Sequence, residues 1–186
     1  MSDLSTSEPR SLPVQDPVPA PSSKDGEAFL RLQLVPSLRT LLPVQQLAEV
    51  LTIPIGRIVP IPQMPVWVMG VYNWRGEVLW MVDLGHLCGL TPWYQRTIGI
   101  SAFTAIVLRI HDTQTPSTRT KSQVLGLVVN QVEDIELCDS TAIQSSPTPT
   151  ATSELGTFLR GYWRKSDDDV LAVLDGEAIM TAMPKR

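Results

Sequence analysis

The sequence predicts a mainly-β chain of about eight to ten short strands and few helices, closed into a small barrel or a pair of them. Three observations predict it. Apolar residues alternate with polar ones, or run unbroken, over stretches too short for most helices. Turn-forming Gly, Pro, Asn, Asp and Ser fall between those stretches. The stretch "TIPIGRIVPIPQMP" sets five prolines or glycines among isoleucines, and proline has no amide to give a helix or a central strand.

The elements follow in order. Residues 1 to 24, "MSDLSTSEPRSLPVQDPVPAPSSK", are dominated by Pro and Ser. Such a segment cannot bury enough apolar surface to offset its ordering entropy, so a disordered tail is expected there and a single domain over 25–186. In "EAFLRLQLV", Leu30, Leu32 and Leu34 alternate with Phe29, Arg31, Gln33 and Val35, a half-buried strand with its leucines inward. "PSLRT" reads as a turn. "LLPVQQLAEVL" is either a returning strand or a strand ending in one helical turn. The proline-rich stretch is an extended crossing with its isoleucines held on a core. "VWVMGVYNWRGEVLWMVDLGHLCGL" reads as strand, tight turn at Asn73 to Gly76, strand and short helix. Gly76 can take a positive φ without steric cost, and Asp83 is placed to cap the helix. Val78, Trp80, Val82 and Leu84 alternate with Leu79, Met81 and Asp83, so both faces of that strand should be covered.

"FTAIVLRI" is a further strand, and the following residues to Gln123 form a polar loop. "VLGLVVNQVEDIELC" is a strand that bends near Asn130. "DSTAIQSSPTPTATSELG" is expected to be a long surface loop. "TFLRGYWRKSDDDVLAVLDGEAIMTAM" gives a strand, a charged turn at Lys165 to Asp169, a strand and a closing helix. No internal repeat of fixed period is visible.

Composition narrows function. The formal net charge is −4, with no long Lys/Arg run, which is a poor match to a phosphate backbone. No run of about 18 apolar residues is present, and the N-terminus has acidic residues and no apolar core of a signal peptide. Cys88 and Cys138 lie in apolar runs outside any C-x-x-C pattern and read as reduced, buried thiols of a cytoplasmic protein. Asp83, His86 and Cys88 have the residue types of a thiol nucleophile site. However, residues two apart on a helical turn point away from each other, and an apolar setting raises a thiol pKa. A small thiol hydrolase using Cys88 is the alternative this leaves. His111 has only Asp112 beside it, and the aspartates at 167–169 lack the Gly and Glu of a calcium loop. No residue set has metal-ligand spacing, and no phosphate-binding glycine motif is present, so no catalysis and no cofactor are expected.

The run from Leu47 to Leu90 resembles the CheW-like family of bacterial chemosensory systems. The resemblance rests on Ala48-Glu49-Val50, the proline-rich crossing from Pro54 to Pro65, Gly70-Val71, Asn73-Trp74-Arg75-Gly76, Val78 and Asp83-Leu84. "GLVVNQVEDI" and "FLRGYW…VLAVLDGEAIM" resemble later segments of the same family, so the likeness spans nearly everything from Glu27 onward. It implies two small SH3-like β-barrel subdomains sharing a hydrophobic interface, with a short C-terminal helix. It also implies a non-catalytic adaptor. Such a protein joins chemoreceptor cytoplasmic tips to the regulatory domain of a CheA-type histidine kinase, in the cytoplasm at membrane-associated receptor arrays. A subunit that only scaffolds such an array, with no receptor of its own, is the other reading.

The resemblance places Arg75 on the partner-contact side, with Asn73, Trp74 and Gly76 around it. A guanidinium is a rigid fork of donors suited to a carboxylate or to carbonyls across an interface. The plainer reading is a turn arginine that braces its own hairpin. Glu49 is its natural opposite charge, within the chain or on a partner. Trp74 stands where the family commonly has an aliphatic residue, and it is expected to be exposed toward an apolar pocket of the partner. Leu47 and Val50 are core residues if both pack inward. Whichever lies between the barrels would contact a receptor tip, with Val129 and Val132 lining the other wall by the resemblance.

Overall fold

The computed structural model describes residues 26–96, 99–111, 122–145, 152–166 and 169–184. The expected tail, most of the polar loop after His111, and Asp167 and Asp168 lie outside the described residues.

Among the described residues, ten strands form two five-stranded sheets. In the first, β1 (Glu27–Val35) pairs antiparallel with both β2 (Leu38–Pro43) and β8 (Gln131–Cys138). β10 (Asp169–Leu174) runs parallel to β2 and antiparallel to β9 (Leu159–Ser166). The second sheet holds β3 (Leu47–Pro54), β6 (Ala102–His111), β7 (Ser122–Val129), β5 (Glu77–Asp83) and β4 (Val68–Trp74), in that spatial order. Its pairings repeat the pattern of the first: antiparallel, antiparallel, parallel, antiparallel.

The two sheets are versions of one unit, with the chain threaded differently. The second sheet is contiguous, from β3 to β7. The first takes β1 and β2 from the start of the domain and β8 to β10 from its end. "VLWMVD" of β5 and "VLAVLD" of β10 occupy matching places. Each ends in an aspartate that caps the next helix, α1 (Leu84–Leu87) and α4 (Gly176–Thr181) respectively. Asp83 accepts from the His86 amide at 3.2 Å, and Asp175 from the Glu177 amide at 2.9 Å. Asp83 also accepts from the Trp93 amide at 2.7 Å, which fixes the start of α2 (Trp93–Arg96). A period search misses this duplication because one copy is split and reordered.

Three apolar clusters organise the packing. One fills the second sheet's concave side with Ile53, Ile58, Leu79, Met81, Phe103 and their neighbours. A smaller one does so in the first, with Phe29, Leu41, Cys138, Leu171 and Val173. The largest lies between the sheets, where Leu30, Leu32 and Leu34 of β1 meet Ile106, Leu108, Leu125 and Leu127 of the other sheet. Burial of side chains of this size stabilises by about 1.5–3 kcal/mol each, so this shared layer binds the two halves into one body.

Both sheets curl until their edges approach. In the second, Trp74 of β4 hydrogen-bonds Glu49 of β3 at 2.9 Å. In the first, Lys165 of β9 reaches Glu136 of β8 at 2.6 Å. Each also has a short backbone bridge over its outermost strand, Val59 to Val71 and Gln144 to Tyr162. Where Val59 crosses β4, a Cβ on Gly70 would overlap the Val59 carbonyl oxygen.

The leucines of β1 are inward as expected, but Phe29 is also fully buried, so this strand is covered on both faces. Cover on β5 ends at Val78, which is 65% exposed at the hairpin tip. "LLPVQQLAEVL" becomes a strand end, a 3-10 turn at Val44–Gln46 and a second strand. In the proline-rich crossing, Ile53 and Ile58 are buried, whereas Ile61 is exposed. The expected long loop after Cys138 is corrected in its described parts. It carries a 3-10 turn at Ser140–Ala142, then a helix, α3 (Ser153–Thr157), capped by the Thr152 hydroxyl at 3.1 Å from the Leu155 amide. Leu155 joins the shared core, an anchor that Ser- and Thr-rich composition conceals.

Candidate functional site

The β4–β5 hairpin turns in two residues. Arg75 has φ +54° and Gly76 φ +84°, the two left-handed residues of a type I′ turn. The Asn73 side-chain oxygen accepts from the Gly76 amide at 3.0 Å and locks the turn. A non-glycine residue in the left-handed region is uncommon. Here it aims the Arg75 side chain back at β3.

Glu49 is what it meets. The Arg75 guanidinium donates to Glu49 Oε2 at 2.9 Å, and the Trp74 indole donates to the same oxygen at 2.9 Å. The arginine also lies 5.2 Å from the centre of the Trp74 ring. The opposite charge for Arg75 is therefore within the chain. The Arg75 side chain nonetheless stays 69% exposed, and such a pair contributes about 0–1 kcal/mol to stability.

The expected exposure of Trp74 is corrected: it is 6% exposed and belongs to the second sheet's core. The physical reason is Glu49. An indole can be buried at little cost once its N–H has a partner, and the carboxylate supplies one.

The remaining candidates fall on the layer between the sheets. Leu47 lies opposite Leu108 and packs on the shared core. A register shift between Leu47 and Glu49 turns Glu49 toward the other side. Val50, opposite Ile106, returns to the shared-core side but is 49% exposed at its edge. Val129 is buried there and Val132 packs against it. Asn73, Trp74, Arg75, Gly76 and Glu49 thus form one group at the hairpin end, and Leu47, Val50, Val129 and Val132 belong to the shared-core side. Sequence reasoning missed Arg109 of β6, whose guanidinium lies 5.9 Å from the centre of the Trp74 ring. Its signal was a lone arginine in the otherwise apolar run "FTAIVLRI".

The thiol alternative has different geometry. Cys88 is fully buried, and burial, followed by the nearby Asp83 carboxylate, pushes its thiol up to about 12. A thiol that stays protonated at neutral pH is no nucleophile. Cys88 in the folded protein is expected to resist iodoacetamide at pH 8 and to react once urea unfolds the chain; rapid native labelling would overturn this. The same shift makes stability fall with pH from about 9, the ordinary thiol value, toward 12. Over that window the unfolded chain loses a proton that the folded chain keeps, at about 1.4 kcal/mol per pH unit. Among the described residues, no helix is long and apolar enough to cross a membrane.

The sequence model of the CheW-like domain matches residues 34–183. The chain belongs to the CheW-like domain family. The fold agrees. The crystal structure of the scaffolding protein TtCheW from Thermoanaerobacter tengcongensis superposes with a TM-score of 0.61 at 21% identity, over 81% of this chain and 89% of that one. No curated protein matches the chain. In this CheW-like domain the Asn-x-Arg-Gly stretch is the two-residue turn, and the Ala-Glu-Val stretch supplies the carboxylate that holds it.

Proposed function

We propose that this CheW-like domain is a non-catalytic adaptor that couples chemoreceptor cytoplasmic tips to the regulatory domain of a CheA-type histidine kinase. It works in the cytoplasm, at a membrane-associated chemosensory array, without a cofactor. The observation that carries the reading is the Arg75 guanidinium. It is fixed by an unusual backbone conformation, backed by a buried indole, and still mostly exposed. Side chains held ready at a surface lose little entropy on binding. The kinase domain engages this hairpin end. The receptor's helical tip lies along the side where Val50 is exposed, over the layer containing Leu47, Val129 and Val132. That TtCheW is a scaffolding protein supports the same class of role.

The test is a pull-down and titration of the protein against CheA-type regulatory domains from its own genome, repeated with Arg75→Glu. The variant places a carboxylate beside Glu49 and removes the fork of donors. Binding is expected to fall by about 100-fold, the range of an interface hot spot. Stability should change by only about 1 kcal/mol, because the lost pair is exposed. Full binding by a normally folded Arg75→Glu would remove Arg75 from the interface. A wild type that binds no such domain would leave a scaffold-only array subunit as the function.

A further inference from the structure

The hairpin end holds two cations around one ring, and among the described residues one carboxylate serves them. Arg75 and Arg109 both lie within 6 Å of the centre of the Trp74 indole. Glu49 answers Arg75 and the indole N–H. Arg109 has no such answer. Its Nε is buried and has no hydrogen-bond partner, and among the described residues no carboxylate forms an ion pair with it.

The strand register shows why. Glu49 lies opposite Val107, so it stands diagonally across β3 and β6 from Arg109, on the same side. Its Oε2 is nevertheless turned to Trp74 and Arg75. Glu77, opposite Trp74 on β5, is exposed and pairs with neither arginine among the described residues. His111, two residues further along β6, is exposed. The side chain of Arg109 is partly exposed, so a group arriving from outside can meet it.

We infer that Arg109 and Arg75 together receive one carboxylate, an Asp or Glu side chain presented by the docked kinase regulatory domain. The inference rests on the adaptor reading and adds the chemistry of the group recognised. Guanidinium forks match carboxylates geometrically, and a partly desolvated cation strengthens such a contact. Glu49 then acts as an internal placeholder that keeps Arg75 aimed in the free protein. Arg109 contributes the charge that the placeholder leaves unmatched.

The experiment titrates the full chain with a CheA-type regulatory domain and, separately, with a receptor-tip fragment, both from its own genome. Wild type, Arg109→Gln and Arg109→Lys are compared at low and high salt. Arg109→Gln is expected to melt as the wild type does, to bind the kinase regulatory domain about tenfold more weakly with a shallower salt dependence, and to bind the receptor tip as the wild type does. Arg109→Lys should keep most of the affinity. Replacing exposed carboxylates of the regulatory domain one at a time should find one whose loss weakens the wild type about tenfold and adds nothing to Arg109→Gln. This last measurement, with Arg109→Lys, carries the test if Arg109→Gln folds poorly. Wild-type affinity in Arg109→Gln overturns the inference while leaving the adaptor reading intact. So does an equal loss in Gln and Lys, which would mark the arginine as packing on the ring. A wild type that binds neither partner overturns both.

Discussion

Gly70→Ala is expected to cost about 4 kcal/mol or more in stability. Two independent obstacles act at this position. Its φ of +137° is open to glycine and rarely adopted by other residues. A Cβ would also overlap the Val59 carbonyl oxygen, which accepts from the Val71 amide at 2.9 Å while the Val59 amide donates to the Val71 carbonyl at 2.8 Å. Backbone cannot step aside as the end of a flexible side chain can. Relief would require the Val59 bridge to break and the proline-rich crossing to lift from the second sheet. The melting temperature should fall by roughly 10 °C, or the variant should fail to fold. Gly76→Ala is the control. It also has a positive φ, but nothing lies within 4 Å of the added carbon, so its cost should be about 1 kcal/mol. Equal losses in the two variants, measured by thermal or urea unfolding, would refute the account of Gly70.

Trp74→Ala comes next, at about 3–5 kcal/mol. The substitution empties a space lined by core residues, and it leaves Glu49 and Arg109 without the ring that lies against them. Trp74→Phe separates the two contributions. It keeps most of the apolar volume and a ring face for the arginines, and it loses the hydrogen bond to Glu49, for about 1 kcal/mol. Urea unfolding of both variants gives the comparison. An alanine variant as stable as the phenylalanine variant would mean that the ring does not close this end of the sheet.

The fold was legible wherever local chemistry alone decides structure. The two-residue hairpin at Arg75–Gly76, the Asp83 cap and the inward leucines of β1 all follow from patterns a few residues long, whereas the run read as one strand bending at Asn130 is two strands, one in each sheet. What was not legible depended on partners distant in sequence. Trp74 looked exposed because its hydrogen-bond acceptor, Glu49, is 25 residues away. Leu155 looked like part of a loop because the core that receives it comes from both sheets. The duplication was hidden by the order of the strands. Of the candidate site, Arg75 and Glu49 could be named, and their pairing within the chain was one of two open readings. Arg109 could not be named, because its meaning depends on a ring that β4 brings to it.

The split threading of the first sheet has a consequence for how the protein is made. During synthesis, the second sheet has all its strands once β7 has left the ribosome, and it can close without waiting for the rest. The first sheet cannot. Its β1–β2 hairpin emerges first, and both flanks of that hairpin stay unpaired until β8 and β10 arrive from the far end of the domain. Pairings so distant in sequence form slowly, and open strand edges invite other chains. The nascent chain therefore keeps an adhesive, unfinished half beside a finished one. The leucines of β1 have one surface ready to cover them in that interval, the outer face of the second sheet, which they cover in the final fold.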